Sequence, residues 1–325
     1  MKIFNTPNFN FVRWRWQAIA LSLIIVLAGA AMVYRHGLPL GVEFEGGSMV
    51  VLRFEQPPDL QQIRNALATG MPGGDDAIVQ SYGETSQHQV MVRVSEVGAE
   101  SGGELSRAAN LVIDTLQKAN VGKFTEQSRE VVGPVVGQQL KRQGTLATIL
   151  ALAGILVYIG LRFQFSFALG AVAATIHDLL VTLAFLVFFG YDITLNVIAA
   201  ILTITGYSVN DTIVVFDRVR ENMRSMRRDN LEHVVNVAVN QTLARTIITA
   251  GTTLLSVVAL YLFGGEALRG FAFTMIVGII SGTYSTIFIA AAIAIMLQRG
   301  KPMKGQSAAA ATPAERTPRR RARAS

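Results

Sequence analysis

Apolar residues dominate six blocks of the chain, at about 17–34, 144–161, 167–189, 193–216, 243–263 and 270–297. Each lies near the roughly 20 residues that a helix needs to cross a bilayer. The pattern therefore predicts six membrane-spanning helices, five of them gathered into a bundle over 144–298. Residues 35–143, between the first and second blocks, have a different rhythm. Ser48–Phe54, Ala77–Tyr82, Gln89–Val94 and Phe124–Val132 are rich in β-forming residues, and the second and third are separated by Gly83-Glu84-Thr85-Ser86, a hairpin-type turn. Asp59–Leu67 and Glu104–Lys118 have helical spacing, the latter with Leu105, Ala108, Ala109, Leu111, Val112 and Leu116 on one face. The order β-α-β-β-α-β predicts a small α+β ferredoxin-like domain outside the membrane.

Composition agrees with this division. Hydrophobic residues make up 51% of the 325 and charged residues only 16%, well below the roughly 25% of an ordinary soluble domain. The first apolar block follows Lys2, Arg13 and Arg15 and contains Ala28-Gly29-Ala30, features shared with a cleavable signal peptide. Its span length and the spans that follow predict a retained anchor instead.

Lysine and arginine set the expected orientation. Three bases lie in residues 1–16. Five lie in the 217–242 connection (Arg218, Arg220, Arg224, Arg227, Arg228), and eight in the 299–325 tail. Six spans put all three segments on one side, which the positive-inside rule makes the cytoplasm. Residues 36–143 hold thirteen acids against nine bases and fall on the opposite side. Residues 218–240 read as a basic surface helix, and the Ala/Arg-rich tail as a disordered cytoplasmic extension. The high pI reports these basic segments rather than a nucleic-acid-binding fold. With no cysteine, the outer domain cannot rely on disulfides.

Asp211 stands inside the fourth apolar block, within Gly206–Asn222. A charge at mid-span costs roughly 2.5–3.5 kcal/mol on insertion scales, so an intramembrane carboxylate is a functional candidate by default. At about 100° per residue, Asn196, Thr203, Tyr207, Asn210 and Asp211 form one polar stripe. It is expected to face the bundle interior or a water path, or to act as polar glue between helices. Arg245, at the cytoplasmic start of the fifth block, is the expected ion-pair partner of Asp211. The alternative is an arginine that snorkels to lipid headgroups. His177 and Asp178 lie mid-way along the third block, where Thr175, Asp178 and Thr182 share a face. The pair reads as a proton-transfer site or as a structural polar seam. Gly278 and Gly282, near Ser281 and Ser285, form a small-residue packing face.

No H-E-x-x-H, Walker A or G-x-S-x-G pattern is present. The residues before Asp211 also depart from the intramembrane aspartyl protease pattern. The expectation is a non-enzymatic protein without metal or cofactor, with protons as the coupling ion.

Four segments resemble the SecD/SecF protein-export family, in its smaller-subunit branch. They are Gly37–Gly47 (with Gly41, Glu43, Phe44, Gly46 and Gly47), Val132–Leu140, His177-Asp178, and Gly206–Asn222 (with Asp217 and Arg218). Glu43 stands where that family usually has Asp, and the tail has no counterpart. The resemblance implies a proton-driven member of the resistance–nodulation–division superfamily in a bacterial inner membrane. It also implies a SecD partner, association with the SecYEG translocon and with YajC and YidC, and an unfolded preprotein as cargo. Asp211 and Arg245 would form its proton path. A passive translocon-stabilising scaffold and half of a small-molecule or lipid exporter are the alternatives.

Overall fold

The computed structural model describes residues 8–83, 85–94 and 102–298. Residues 1–7 and the basic tail from 299 onward lie outside that range, so the expected tail disorder does too. Six helices are long and apolar enough to cross a membrane. They are α1 (Arg15–His36), α5 (Pro134–Arg162), α6 (Phe165–Phe189), α7 (Leu195–Ser225), α8 (Leu231–Phe263) and α9 (Glu266–Ser285), which continues through a π-turn (Thr286–Ala290) into α10 (Ala291–Gln298).

Several spans outrun their apolar blocks. Pro134 opens α5 ten residues before the apolar block, at a position where its missing N–H costs nothing. Helix α7 runs 31 residues, about 47 Å at 1.5 Å per residue, so its last turns leave the apolar layer. The basic stretch 218–240 is consequently not one surface helix. The end of α7 uses Arg218 and Glu221, which pair at 2.6 Å one turn apart. The chain then turns at Met226–Asn230, and the Asn230 side chain accepts from the His233 N–H at 2.8 Å to start α8. Good helix formers on both sides of a five-residue break account for the difference.

Between α1 and α5 stand a short helix α2 (Val42–Glu45) and the outer domain: β1 (Gly47–Phe54), α3 (Leu60–Gly70), β2 (Ile78–Tyr82), β3 (Gln89–Val94), α4 (Gly102–Lys118) and β4 (Phe124–Val132). The sheet order is β2-β3-β1-β4, antiparallel throughout, with an irregularity at Val51/Leu52. This is the ferredoxin-like arrangement the pattern predicts. Period-two alternation puts Val50, Leu52, Phe54, Val90, Val92 and Val94 on the helix-covered face. Ile63 and Leu67 of α3 and Ala109, Val112 and Leu116 of α4 close the core over them. Leu111 stays at the exposed rim instead. Removing the Leu52 side chain from this core would cost about 2–5 kcal/mol.

In the membrane layer α6, α7 and α9–α10 are the inner helices; α1, α5 and α8 are the most exposed. Small residues permit the close approaches. A Cβ on Gly278 would collide with Ile204, one on Gly282 with Ser208, one on Gly29 with Ala184, and one on Gly170 with the Ala290 carbonyl. Apolar tails offer no hydrophobic drive between spans, so such close packing does much of the holding.

Candidate functional site

Asp211 lies at the α7–α8 contact. Its Oδ1 accepts a hydrogen bond from Thr246 Oγ1 at 2.7 Å. Its Oδ2 is buried and has no hydrogen-bond partner among the described residues. One oxygen is thus anchored and the other is left ready to take a proton or a donor. Thr212, next in sequence, shares a 2.9 Å hydroxyl contact with Thr286 at the start of the π-turn. The carboxylate-bearing turn is therefore tied to the final span as well as to α8. A π-turn inside a helix is uncommon and often marks a functional position.

The expected Asp211–Arg245 ion pair is not made: no charged N–O distance within 4 Å joins them, and the Arg245 side chain is exposed. The depth argument holds, since Arg245 adjoins Thr246. The face does not, because consecutive helical residues point about 100° apart. Thr246 points inward to the carboxylate and Arg245 points out.

The polar stripe of α7 divides between exposed and half-buried positions. Asn196, Thr203 and Asn210 are exposed rather than turned into the bundle. Tyr207 is half-buried against the cluster of Ala200, Ile204 and Val257. Asn196 donates to the Ala267 carbonyl at 3.3 Å and Thr203 to the Ala199 carbonyl at 2.8 Å. On α8, Thr249, Thr252 and Ser256 add an exposed row of hydroxyls bonded to their own helix. Two adjacent spans of this chain therefore show polar faces to the membrane layer.

Asp178 is the opposite case, a carboxylate with every need met. Its Oδ1 receives Ser281 Oγ at 2.7 Å and lies 3.0 Å from His177 Nδ1; its Oδ2 receives Ser208 Oγ at 2.5 Å and Ser285 Oγ at 2.8 Å. This buried node pins α6 to α7 and α9. His177 stacks on Tyr284, ring centroids 6.1 Å apart, and its Nε2 is buried without a partner among the described residues. Of the expected seam, Thr175 bonds the Ala171 carbonyl, and Thr182 Oγ1 has no partner among the described residues. The packing signal at Gly278 and Gly282 pointed toward Ser281 and Ser285. Nothing in their spacing showed that Asp178 was their acceptor.

Asp217 and Arg218 lie in the C-terminal third of α7. Asp217 pairs with Arg162 of α5 at 2.9 Å. Arg218 Nε donates to Gln241 Oε1 of α8 at 2.7 Å, and Asn222 Nδ2 donates to the same oxygen at 2.9 Å. These contacts hold three helix ends in register.

The Gly41–Gly47 segment sits at the junction of bundle and outer domain. Gly41 N–H donates to the Ile193 carbonyl and Ile193 N–H to the Pro39 carbonyl, forming a parallel bridge between Leu40 and Ile193. A Cβ on Gly41 would meet Ile193 O at 3.1 Å. Gly46 and Gly47 adopt φ of 78° and 113°, the left-handed region that glycine occupies without strain. Phe44 is buried among Leu186 of α6, Ile193 of the following connection, and Val197 and Ile201 of α7. The Oε2 of Glu43 is buried without a partner among the described residues. Beside it, Asp192 is held above the ordinary aspartate range. Burial is the main cause; the Arg93 charge opposes the rise, and Glu45 and Glu43 add to it. Among the described residues no group of three or more His, Asp or Glu has the geometry to hold a metal ion.

The family described as "Protein export membrane protein SecD/SecF, C-terminal" matches residues 111–300, and the "SecD/SecF GG Motif" matches residues 35–58. The Pseudomonas aeruginosa protein translocase subunit SecF is 42% identical over 291 residues, 89% of this chain and 92% of that protein. The corresponding Escherichia coli O157:H7 subunit is 37% identical over 289 residues, 89% of this chain and 88% of that protein. The crystal structure of SecDF from Thermus thermophilus, a translocon-associated membrane protein, matches with a TM-score of 0.78 at 33% identity, covering 90% of this chain. Only 39% of that longer chain is covered. The alpha-helical membrane bundle, the small antiparallel sheet and both sequence motifs thus agree: the chain belongs to the SecD/SecF protein-export family, as a homologue of the SecF subunit of the protein translocase.

Proposed function

We propose that this multi-pass membrane subunit acts with a SecD-type partner to use the proton-motive force to complete preprotein export across the inner membrane. One observation carries the reading: a carboxylate buried in a transmembrane helix, with one oxygen held by Thr246 and the other without a partner. Such a group alternates between proton-bound and proton-free states at modest structural cost, because its anchor survives either way. The serine-satisfied Asp178 has no such vacancy, and its role is to hold the bundle.

The polar faces of α7 and α8 support the need for a partner. Asn196, Thr203 and Asn210 on one helix, with Arg245, Thr249, Thr252 and Ser256 on the next, are costly to leave against lipid. A second helical bundle of SecD type would cover them and complete a polar path from Asp211. In that assembly Arg245 is supplied to the path from about 100° around α8 relative to Thr246 rather than as a direct partner of Asp211. SecYEG, with YajC and YidC, would supply the emerging polypeptide, and the outer domain would engage it on the periplasmic side. Both termini are cytoplasmic in this arrangement, as the distribution of lysine and arginine requires.

The test is Asp211→Asn in the complex with its partner, in inverted inner-membrane vesicles. Proton-driven completion of preprotein import and the accompanying proton efflux are both expected to disappear while protein level and complex assembly persist. Retention of both would leave a passive scaffold, and retention of proton efflux alone would move the relay elsewhere.

A further inference from the structure

Arg93 is an arginine on a β-strand, 6% exposed, on the sheet face opposite the domain's own core. It reaches out of the domain. Its Nη1 donates to the Leu40 carbonyl and lies 3.8 Å from Asp192 Oδ2, and its Nη2 lies 3.5 Å from Glu45. Asp192 belongs to the α6–α7 connection (190–194), and Leu40 to the connection after α1. The same two connections are joined by the backbone bridge of Leu40 with Ile193. The Thr194 side chain then caps α7 by accepting from the Val197 N–H at 3.3 Å. The contact of the buried guanidinium, the bridge and the helix cap fall on the consecutive residues Asp192, Ile193 and Thr194.

Helix α7 also carries Asp211, seventeen residues below Thr194, or about 25 Å along a continuous helix. A shift at the carboxylate moves the far end of a stiff rod, and that end is fastened to the sheet through Arg93. We propose that Arg93, together with the Leu40–Ile193 bridge, is a rigid mechanical joint that makes the outer domain move with α7, so that Arg93 is a positioning residue for export and not part of the proton path. The proposal rests on the role of Asp211 given above. The geometry favours a joint that stays closed. A buried guanidinium stripped of its carboxylate partners is expensive to leave alone, and two backbone hydrogen bonds, from Gly41 N–H to the Ile193 carbonyl and from Ile193 N–H to the Pro39 carbonyl, hold the bridge.

The chain contains no cysteine, so the joint can be broken and re-fastened cleanly. Paired bridge residues have the Cα spacing that a disulfide accepts. The assay is import of a preprotein into inverted vesicles bearing the complete complex, with proton efflux followed by a pH-sensitive dye. Arg93→Gln is expected to lower proton-driven import by roughly tenfold, within the range that coupling residues command, while proton efflux continues. Leu40→Cys with Ile193→Cys, added to Arg93→Gln and oxidised, is expected to recover import, and reduction to remove it again. Should the Arg93→Gln chain accumulate poorly, Asp192→Asn with Glu45→Gln weakens the same joint and is read the same way. Normal import by these variants at normal protein level overturns the proposal. So does loss of proton efflux in step with import, or loss of import when the disulfide is formed in an otherwise unaltered chain. Asp211→Asn run in parallel separates the two readings: if it abolishes import and Arg93→Gln does not, only the joint fails.

Discussion

Thr246 Oγ1 donates to Asp211 Oδ1 at 2.7 Å, and it is this hydroxyl, not the neighbouring Arg245 guanidinium, that holds the intramembrane carboxylate. A neutral donor fixes the direction of the group without committing it to the charged state. A direct arginine pair would oppose proton uptake through its full Coulomb attraction. Thr246→Ser is expected to keep near-normal export, and Thr246→Val to lose about tenfold or more, because one buried hydrogen bond to a charged group contributes about 1.5–3 kcal/mol. Import rates at equal protein level distinguish the two.

Asp178 answers to a different test. Removing its carboxylate by Asp178→Ala strands Ser208 and Ser281 in the bundle, each losing its acceptor at about 1–3 kcal/mol, and leaves Ser285 only the Gly282 carbonyl. The expected result is a sharp fall in thermal stability of the purified, detergent-solubilised chain. Asp178→Asn, which keeps the volume and one acceptor oxygen, should fall less.

Overpacking probes the α7–α9 contact. A Cβ on Gly278 already collides with Ile204, so Gly278→Val is expected to destabilise by about 1–3 kcal/mol or more. Gly154 of α5, with open space around it, is the control, and Gly154→Ala should leave the melting temperature unchanged or slightly higher. Melting measured side by side decides it.

Asp192 makes a prediction in pH. Its carboxyl is raised in the folded chain because burial outweighs the Arg93 charge, so the folded state binds the proton more tightly than the unfolded state. The corresponding stability is fully present below about pH 4, the unfolded value. It is lost as pH rises through the higher folded value. Stability should therefore decline between acid and neutral buffer, and Asp192→Asn should flatten that part of the curve. A curve unchanged by Asp192→Asn would assign the dependence to other groups.

The amino-terminal segment is tied to the start of α8 by side chains that imitate a strand. Asn240 accepts from Phe9 N–H at 2.9 Å and donates to Phe9 O at 2.8 Å, Asn236 accepts from Phe11 N–H at 2.9 Å, and Arg15 pairs with Glu232 at 2.9 Å. Asn240→Ala is expected to free this segment, so that trypsin added to the purified, detergent-solubilised chain cuts at Arg13 at a lower dose.

Period and length were enough to find the spans and the sandwich, because both report burial along a single element. Runs of about 20 apolar residues and the alternation in Val50, Leu52 and Phe54 need no knowledge of neighbours. Element ends were less legible where helix formers continue past the apolar layer, as in Arg218–Ser225, and where a capping asparagine interrupts a basic run, as at Asn230. Asp211 was legible as a costly charge. Its partner was not, since choosing Thr246 over Arg245 turns on 100° of helix rotation against a neighbouring span.

By itself the amino-acid sequence determined six spans, an α+β outer domain, and the two carboxylates, Asp178 and Asp211, set inside apolar helices. These follow from transfer free energy and local periodicity, which act residue by residue. Only the tertiary structure decided that Asp178 is satisfied while Asp211 keeps an open oxygen, that the polar face of α7 turns outward, and that Arg93 of the sheet reaches Leu40 and Asp192 in the two connections beside the bundle. Hydrogen bonds between side chains distant in sequence depend on angle and on sub-ångström distance, and those are set by how whole elements pack.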